Sequence, residues 1–311
     1  MEFLTPCDAP PPPPPAATCS YADTTCVAGA TCPAGTLVSA VCADRSSFNE
    51  NPCACTALQQ LAAMSSEDPD GAASTTPWND LTSNAYCNME DDYDYVPYYA
   101  EGSPLKVKCA TSDGVQVPVY IYGFGAGLAG ALPPSLGELR PPLTYLGLLN
   151  NAITSVPTEI GALTGLTWLD LDSNDVTSVP TELGALTGLK TLSLGSNDLT
   201  SVPTELGSLT ALFTLSLMNN KLSSVPSEMV GAIEGLRFLF LGGNQLTGFP
   251  KEFRTVSPSF VDCSLTDNDP SFSCADVGFS PMTAFGSSCC TSFNCPGGIS
   301  TCYNYDTYYG R

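Results

Sequence analysis

"LTWLDLDSNDVTSVPTELGALTG" spans residues 166–188, and near copies of it stand immediately before and after. Leu143, Leu166, Leu189 and Leu212 lie 23 residues apart, as do Asn151, Asn174, Asn197 and Asn220, and Pro157, Pro180, Pro203 and Pro226. A further copy follows at a spacing of 24, with Leu236, Asn244 and Pro250, its extra residue falling within "SEMVGAIEG". A fixed period of this length marks a stacked repeat architecture. One unit cannot bury its own leucines, whereas stacked units share a continuous apolar core in which each Leu contributes about 2 kcal/mol. Leu166, Leu169 and Leu171 suit a short strand with its apolar side inward. The Asn that follows is suited to satisfying buried backbone groups as the chain turns, so that successive Asn side chains form a ladder.

Written as L-x-x-L-x-L-x-x-N-x-L-x-x-V-P-x-E-L-G-x-L-x-x, the unit resembles the leucine-rich repeat family. A degenerate copy lies upstream in "VYIYGFGAGLAGALPPSLGEL", 119–139, where Ile121 and Leu128 take leucine positions and Gly123 and Ala126 replace a Leu and the Asn. Its "LAGALPPSLGEL" is similar to the plant-type extracellular subtype, which brings the count to six repeats over 118–257. The resemblance implies an α/β leucine-rich repeat solenoid, a curved horseshoe with a parallel sheet on its concave face. Residues 114–137 carry no charge, but their six glycines and three prolines read as a terminal repeat and not as a transmembrane segment.

The 15 cysteines avoid the array, none lying between Cys109 and Cys263, which is how disulfides cap a solenoid in an oxidising compartment. With no His and no C-x-x-C pair, zinc ligation lacks its usual spacings, and no metal or cofactor is expected. The chain therefore reads as secreted or lumenal. "MEFLTPCDAP" has neither a basic n-region nor an apolar h-region, so a signal peptide is absent from the given sequence. A net charge of −21 disfavours nucleic acid and anionic lipid as partners.

Residues 1–55 form a Pro- and Cys-rich segment with a polyproline run at 10–15. Residues 56–117 resemble the N-terminal cap of plant-type extracellular repeat proteins: a short helix over 56–65, "DPDG" at 68–71, Trp78 with Asn79, and Cys87 with Cys109. That resemblance implies a Cys87–Cys109 disulfide. The cap departs from the family in an acidic, Tyr-rich insertion, "MEDDYDYVPYYAE" at 89–101, which reads as a solvated loop or a contact loop. Residues 258–311 hold six cysteines and resemble the Cys-rich C-terminal caps of secreted repeat proteins. Seven cysteines in the first 55 residues leave one odd thiol, for which Cys7 is the candidate free or interchain group.

Without His, no Ser-His-Asp or Cys-His device exists, and the chain carries no enzyme signature. Asp170 and Asp172 project from one side of a strand, as a weak acid pair or part of a calcium site would, but nothing else convergent accompanies them, and polar residues on the exposed side of a strand account for them better. Positions alternating with the buried leucines face the concave surface. There Tyr120, Tyr122, Phe124, Tyr145 and Trp168 crowd one end, Met218, Phe238 and Phe240 the other, and small residues line the middle. These aromatics either dock a partner or are covered by the flanking caps. Columns of Thr and Ser at 154, 177, 200, 223 and 247 and at 155, 178, 201 and 224 invite comparison with an ice-binding solenoid, but only five copies are present and such residues are ordinary in leucine-rich repeats. The chain thus reads as a non-catalytic extracellular interaction and assembly protein, structural or adhesive, whose partner is a protein or a second copy of itself. The alternative is a soluble recognition or inhibitor module binding a protein or glycan on the concave face.

Overall fold

In the computed structural model the described residues are 57–58, 60–61, 63–64, 105–112, 115–139, 143–252 and 262–271. They build a solenoid whose strands form one eight-stranded sheet. β1 (Lys106–Ser112) pairs antiparallel with β2 (Val115–Tyr122), and every later strand of this sheet joins in parallel. A second, two-stranded parallel sheet joins β3 (Ala129–Ala131) to β5 (Ala152–Ser155). Parallel stacking continues through β4 (Tyr145–Gly147), β6 (Trp168–Asp170), β7 (Thr191–Ser193), β8 (Thr214–Ser216) and β9 (Phe238–Phe240). The register places Ile121, Leu146, Leu169, Leu192, Leu215 and Leu239 in one inward column, each at most 1% exposed.

The Asn ladder is present with the hydrogen bonding that its chemistry requires. Asn197 is buried; its Oδ1 accepts from Val176 N at 2.9 Å, and its Nδ2 donates to Leu171 O, Leu194 O and Gly195 O at 2.9, 3.2 and 3.0 Å. Asn174, Asn220 and Asn244 repeat this arrangement one rung apart. To reach it the chain turns sharply, and the residue before each ladder Asn has positive φ: Asn150, Ser173, Ser196, Asn219 and Gly243. Asn and Gly tolerate that left-handed conformation; Ser173 and Ser196 adopt it against steric preference.

Each rung returns through a short 3-10 turn entered by proline: Thr158–Ala162 after Pro157, Thr181–Ala185 after Pro180, Thr204–Ser208 after Pro203. Proline's fixed φ suits that entry, and its missing N–H removes a donor that the turn would leave unpaired. The glycine of each "LG" lets the turns stack closely. A Cβ on Gly184 would lie 2.5 Å from Glu205 O and 2.7 Å from Glu205 Cβ. The longer fifth copy uses its extra residue to form a short helical turn, Val230–Ile233, which buries Ala232 and Ile233.

Past residue 257 the sheet and the Asn ladder continue. β10 (Asp262–Ser264) pairs with β9, Leu265 is buried, and Asn268 carries the ladder on, accepting from Leu246 N at 3.1 Å and donating to Leu241 O and Leu265 O. Asp267 before it has the same positive φ. The array therefore runs one rung further, with Cys263 in the strand position that leucine holds elsewhere.

At the opposite end Ala57, Leu58 and Leu61 belong to the same buried core as the repeats, and Ser135 donates to Gln60 Oε1 at 2.6 Å. Cys109 on β1 is disulfide-bonded; Cys87, its expected partner, lies outside the described residues, as do Cys7, segment 1–55, the acidic insertion at 89–101 and most of 258–311. No helix among the described residues is long and apolar enough to cross a membrane.

Candidate functional site on the concave sheet face

Strand register sorts the outward side chains into columns running across the rungs. The first holds Tyr120, Tyr145, Trp168, Thr191, Thr214 and Phe238; the second holds Tyr122, Gly147, Asp170, Ser193, Ser216 and Phe240. Two residues further along each strand Phe124, Leu149, Asp172, Gly195, Met218 and Gly242 follow.

The first three rungs carry a stack of rings. Tyr120 and Tyr145 lie face to face with centroids 3.8 Å apart, and Tyr145 and Trp168 follow at 5.5 Å. Rungs one strand spacing apart, about 4.8 Å, hold flat rings in contact without distortion. Tyr145 also leans across its own strand: a Cβ on Gly147 would stand 2.7 Å from Tyr145 Cε1 and 2.9 Å from its hydroxyl oxygen, so the ring fills the space a side chain there would take. The hydroxyls of Tyr120 and Tyr145 hydrogen-bond to each other. Burial, above all, raises the pKa of both phenols, with the nearby Asp170 charge acting in the same direction.

A second aromatic group lies at the far end. Phe213 and Phe238 are 5.4 Å apart and tilted, and Phe238 and Phe240 are 6.5 Å apart. Phe213, 49% exposed, is absent from the sequence-derived candidates because it precedes its strand. The signal was its position: Thr144, Thr167 and Lys190 occupy the equivalent place in earlier rungs, so an apolar ring there stands out.

Between the aromatic groups the face is polar and sheltered. Asp170 is 1% exposed, and its Oδ1 accepts from Asp172 N at 3.0 Å. Burial drives its pKa well above the usual carboxylate range, the Asp172 charge adds to this, and the hydrogen bond from Asp172 N opposes it. Asp172 in turn accepts from Gly195 N. Ser193 and Ser216 stand beside them in register.

Of the sequence-derived candidates, Tyr120, Tyr145, Trp168, Met218 and Phe240 are half-buried and reach the surface, whereas Tyr122, Phe124, Phe238, Asp170 and Asp172 are buried. The structure thus brings together Tyr120, Tyr145, Trp168 and Asp170 as one patch and holds the phenylalanines apart at the other end.

A family model described as a leucine-rich repeat region matches residues 135–254. No curated protein matches the chain. Among solved structures, a plant ice-binding protein is 26% identical, with a TM-score of 0.51, over 71% of this chain and 64% of that one. A leucine-rich repeat protein of Leptospira interrogans is 34% identical, with a TM-score of 0.41, over 46% of this chain; the chain spans only 38% of that protein's length. The leucine-rich repeat ectodomain of the receptor kinase SOBIR1 from Arabidopsis thaliana is 23% identical, with a TM-score of 0.48, over 63% of this chain and 96% of that one. Periodic leucines, the Asn ladder, the parallel sheet and the family match at 135–254 together make this fold a leucine-rich repeat solenoid.

Proposed function

We propose that this chain is a non-catalytic extracellular interaction and assembly scaffold that docks a protein, or a second copy of itself, on the concave face of its first three repeats. The observation that carries the reading is the stacked series Tyr120, Tyr145 and Trp168, half-buried and unflanked by basic groups in its own columns. Prestacked rings are rigid, so they lose little side-chain entropy on binding and serve as anchors for an apolar contact. The cysteine-rich flanks support an oxidising, extracellular setting. A recognition module that binds a protein or glycan ligand would use the same face.

The test replaces Trp168 with Ser, and separately Tyr145 with Ser, and follows both solution mass and melting temperature. Loss of association with an unchanged melt supports docking; loss of the fold in both variants would mean that the rings are internal packing.

A second reading rests on the opposite edge of the rungs, where Thr154, Thr177, Thr200, Ser223 and Thr247 are all exposed in one column, as are Ser178, Ser201 and Ser224. Together with the likeness to the plant ice-binding protein, this column supports contact with ice. Thermal hysteresis of the purified chain tests it, and a freezing point equal to the melting point would remove it.

A further inference from the structure

The middle of the sheet face holds a group of buried oxygens. Asp170, Ser193 and Ser216 stand side by side on adjacent strands, so that carboxyl, hydroxyl and hydroxyl form a row with steps of about 4.8 Å. Asp172, two residues past the end of β6, projects from the same side as Asp170. It overhangs Gly195, where a Cβ would lie 3.1 Å from Asp172 Oδ1 and 3.1 Å from Ser216 Oγ, so both oxygens face one point above a glycine floor.

The two serine hydroxyls provide a separate observation. Ser193 Oγ and Ser216 Oγ are buried, at 0% and 1% residue exposure, and neither has a hydrogen-bond partner among the described residues. A buried hydroxyl without a partner is costly, and two of them next to two carboxylates concentrate the cost in one place. No Lys or Arg among the described residues forms an ion pair with Asp170. A cation held among them would take up lone pairs of the hydroxyls and neutralise the acids.

The donor set selects the ion. Every group is oxygen, and the chain has no His, so soft and borderline metals lack their preferred ligands. Magnesium demands a tight octahedron, whereas calcium accepts irregular sets of carboxylate, hydroxyl, carbonyl and water oxygens. We propose that Asp170, Asp172, Ser193 and Ser216 form a calcium-class cation site in the floor of the concave face. The ion ties three neighbouring rungs together through their side chains, and binding in the range of extracellular modules, a Kd of about 0.1–1 mM, fits two carboxylates. This inference does not depend on what docks against the aromatic rings.

The experiment uses the full chain in a Trp78→Phe background, with Tb3+ as the probe and Trp168 as its sensitiser. Excitation of the indole yields Tb3+ emission that saturates and is displaced by Ca2+. In Asp170→Asn the probe affinity falls about tenfold or more, and the Ser193→Ala/Ser216→Ala double variant also weakens it. In EDTA, Asp170→Asn melts at or above the parent temperature, which separates lost ligation from lost folding. Emission that is unchanged in both variants, or that Ca2+ fails to displace, overturns the proposal and moves ion binding to another acidic stretch of the chain. If Asp170→Asn does not fold, the serine double variant alone decides.

Discussion

Replacing Asn197 with Leu tests whether the ladder holds the rungs together. Its partners do not all suffer equally. Leu171 O also accepts from Asn174, Leu194 O from Asn220, and Gly195 O from Ser173 N, so each carbonyl keeps one donor after the substitution. Val176 N has no other acceptor to turn to, because among the described residues Asn197 Oδ1 is its only hydrogen-bond partner. The cost is therefore one orphaned buried N–H, about 1–3 kcal/mol, plus the net value of the lost carbonyl bonds at about 0.5–1 kcal/mol each. Leucine's apolar gain offsets part of this, leaving an expected loss of about 3 kcal/mol. Urea unfolding of the oxidised protein, followed by circular dichroism, measures the change. Asn151→Leu, at the half-buried first rung, should cost less, since water can replace the lost partners there. A loss below about 1 kcal/mol at Asn197 would refute the reasoning, because an orphaned buried amide cannot be so cheap.

Three further outcomes follow from the same geometry. Gly184→Ala forces the 3-10 turns of neighbouring rungs apart, since its Cβ meets Glu205 backbone and not a flexible tip; a loss of about 1–3 kcal/mol in the same urea assay is expected, and a neutral result would mean that the turns slide freely. Ser173→Asn places a residue tolerant of positive φ where Asn150 and Asn219 already stand, so a gain of about 0.5 kcal/mol is expected and a loss would remove the strain argument. The Asp170 carboxyl has a folded pKa raised above its unfolded one, so the folded state binds the extra proton and stability falls as pH rises from the unfolded value through the folded one. In EDTA, Asp170→Asn should match the parent near pH 3 and exceed it at pH 7; equal stability at both would contradict the burial of a costly charge.

Much of this architecture was legible because it is local and repeated. Leu169 and Asn174 recur at a fixed spacing, and any residue kept at that spacing must serve the stacking. The last rung was legible too, but its signal was diluted: Leu265 and Asn268 follow Leu241 and Asn244 by 24 residues, while Cys263 hides the strand between them. Positive φ at Ser173 could not be read, since serine has no preference for it and only the turn imposes it. Which side of a strand Tyr122 and Trp168 take follows from alternation; how deeply each is buried does not. Tyr122 is 2% exposed and Trp168 only half-buried, although both project from the same face, because cover depends on neighbours distant in sequence. Gly147 carried no signal at all until the ring of Tyr145 was seen to occupy the space of its missing side chain.

The mass of the full chain in solution, by light scattering with and without reductant, tests the proposed assembly most directly. Species heavier than the 32.4 kDa chain are expected, dissociating when Trp168 is replaced by Ser, with any reductant-sensitive fraction reporting an interchain cysteine. A discrete 32.4 kDa particle at every concentration, in both redox states and for both sequences, would contradict it.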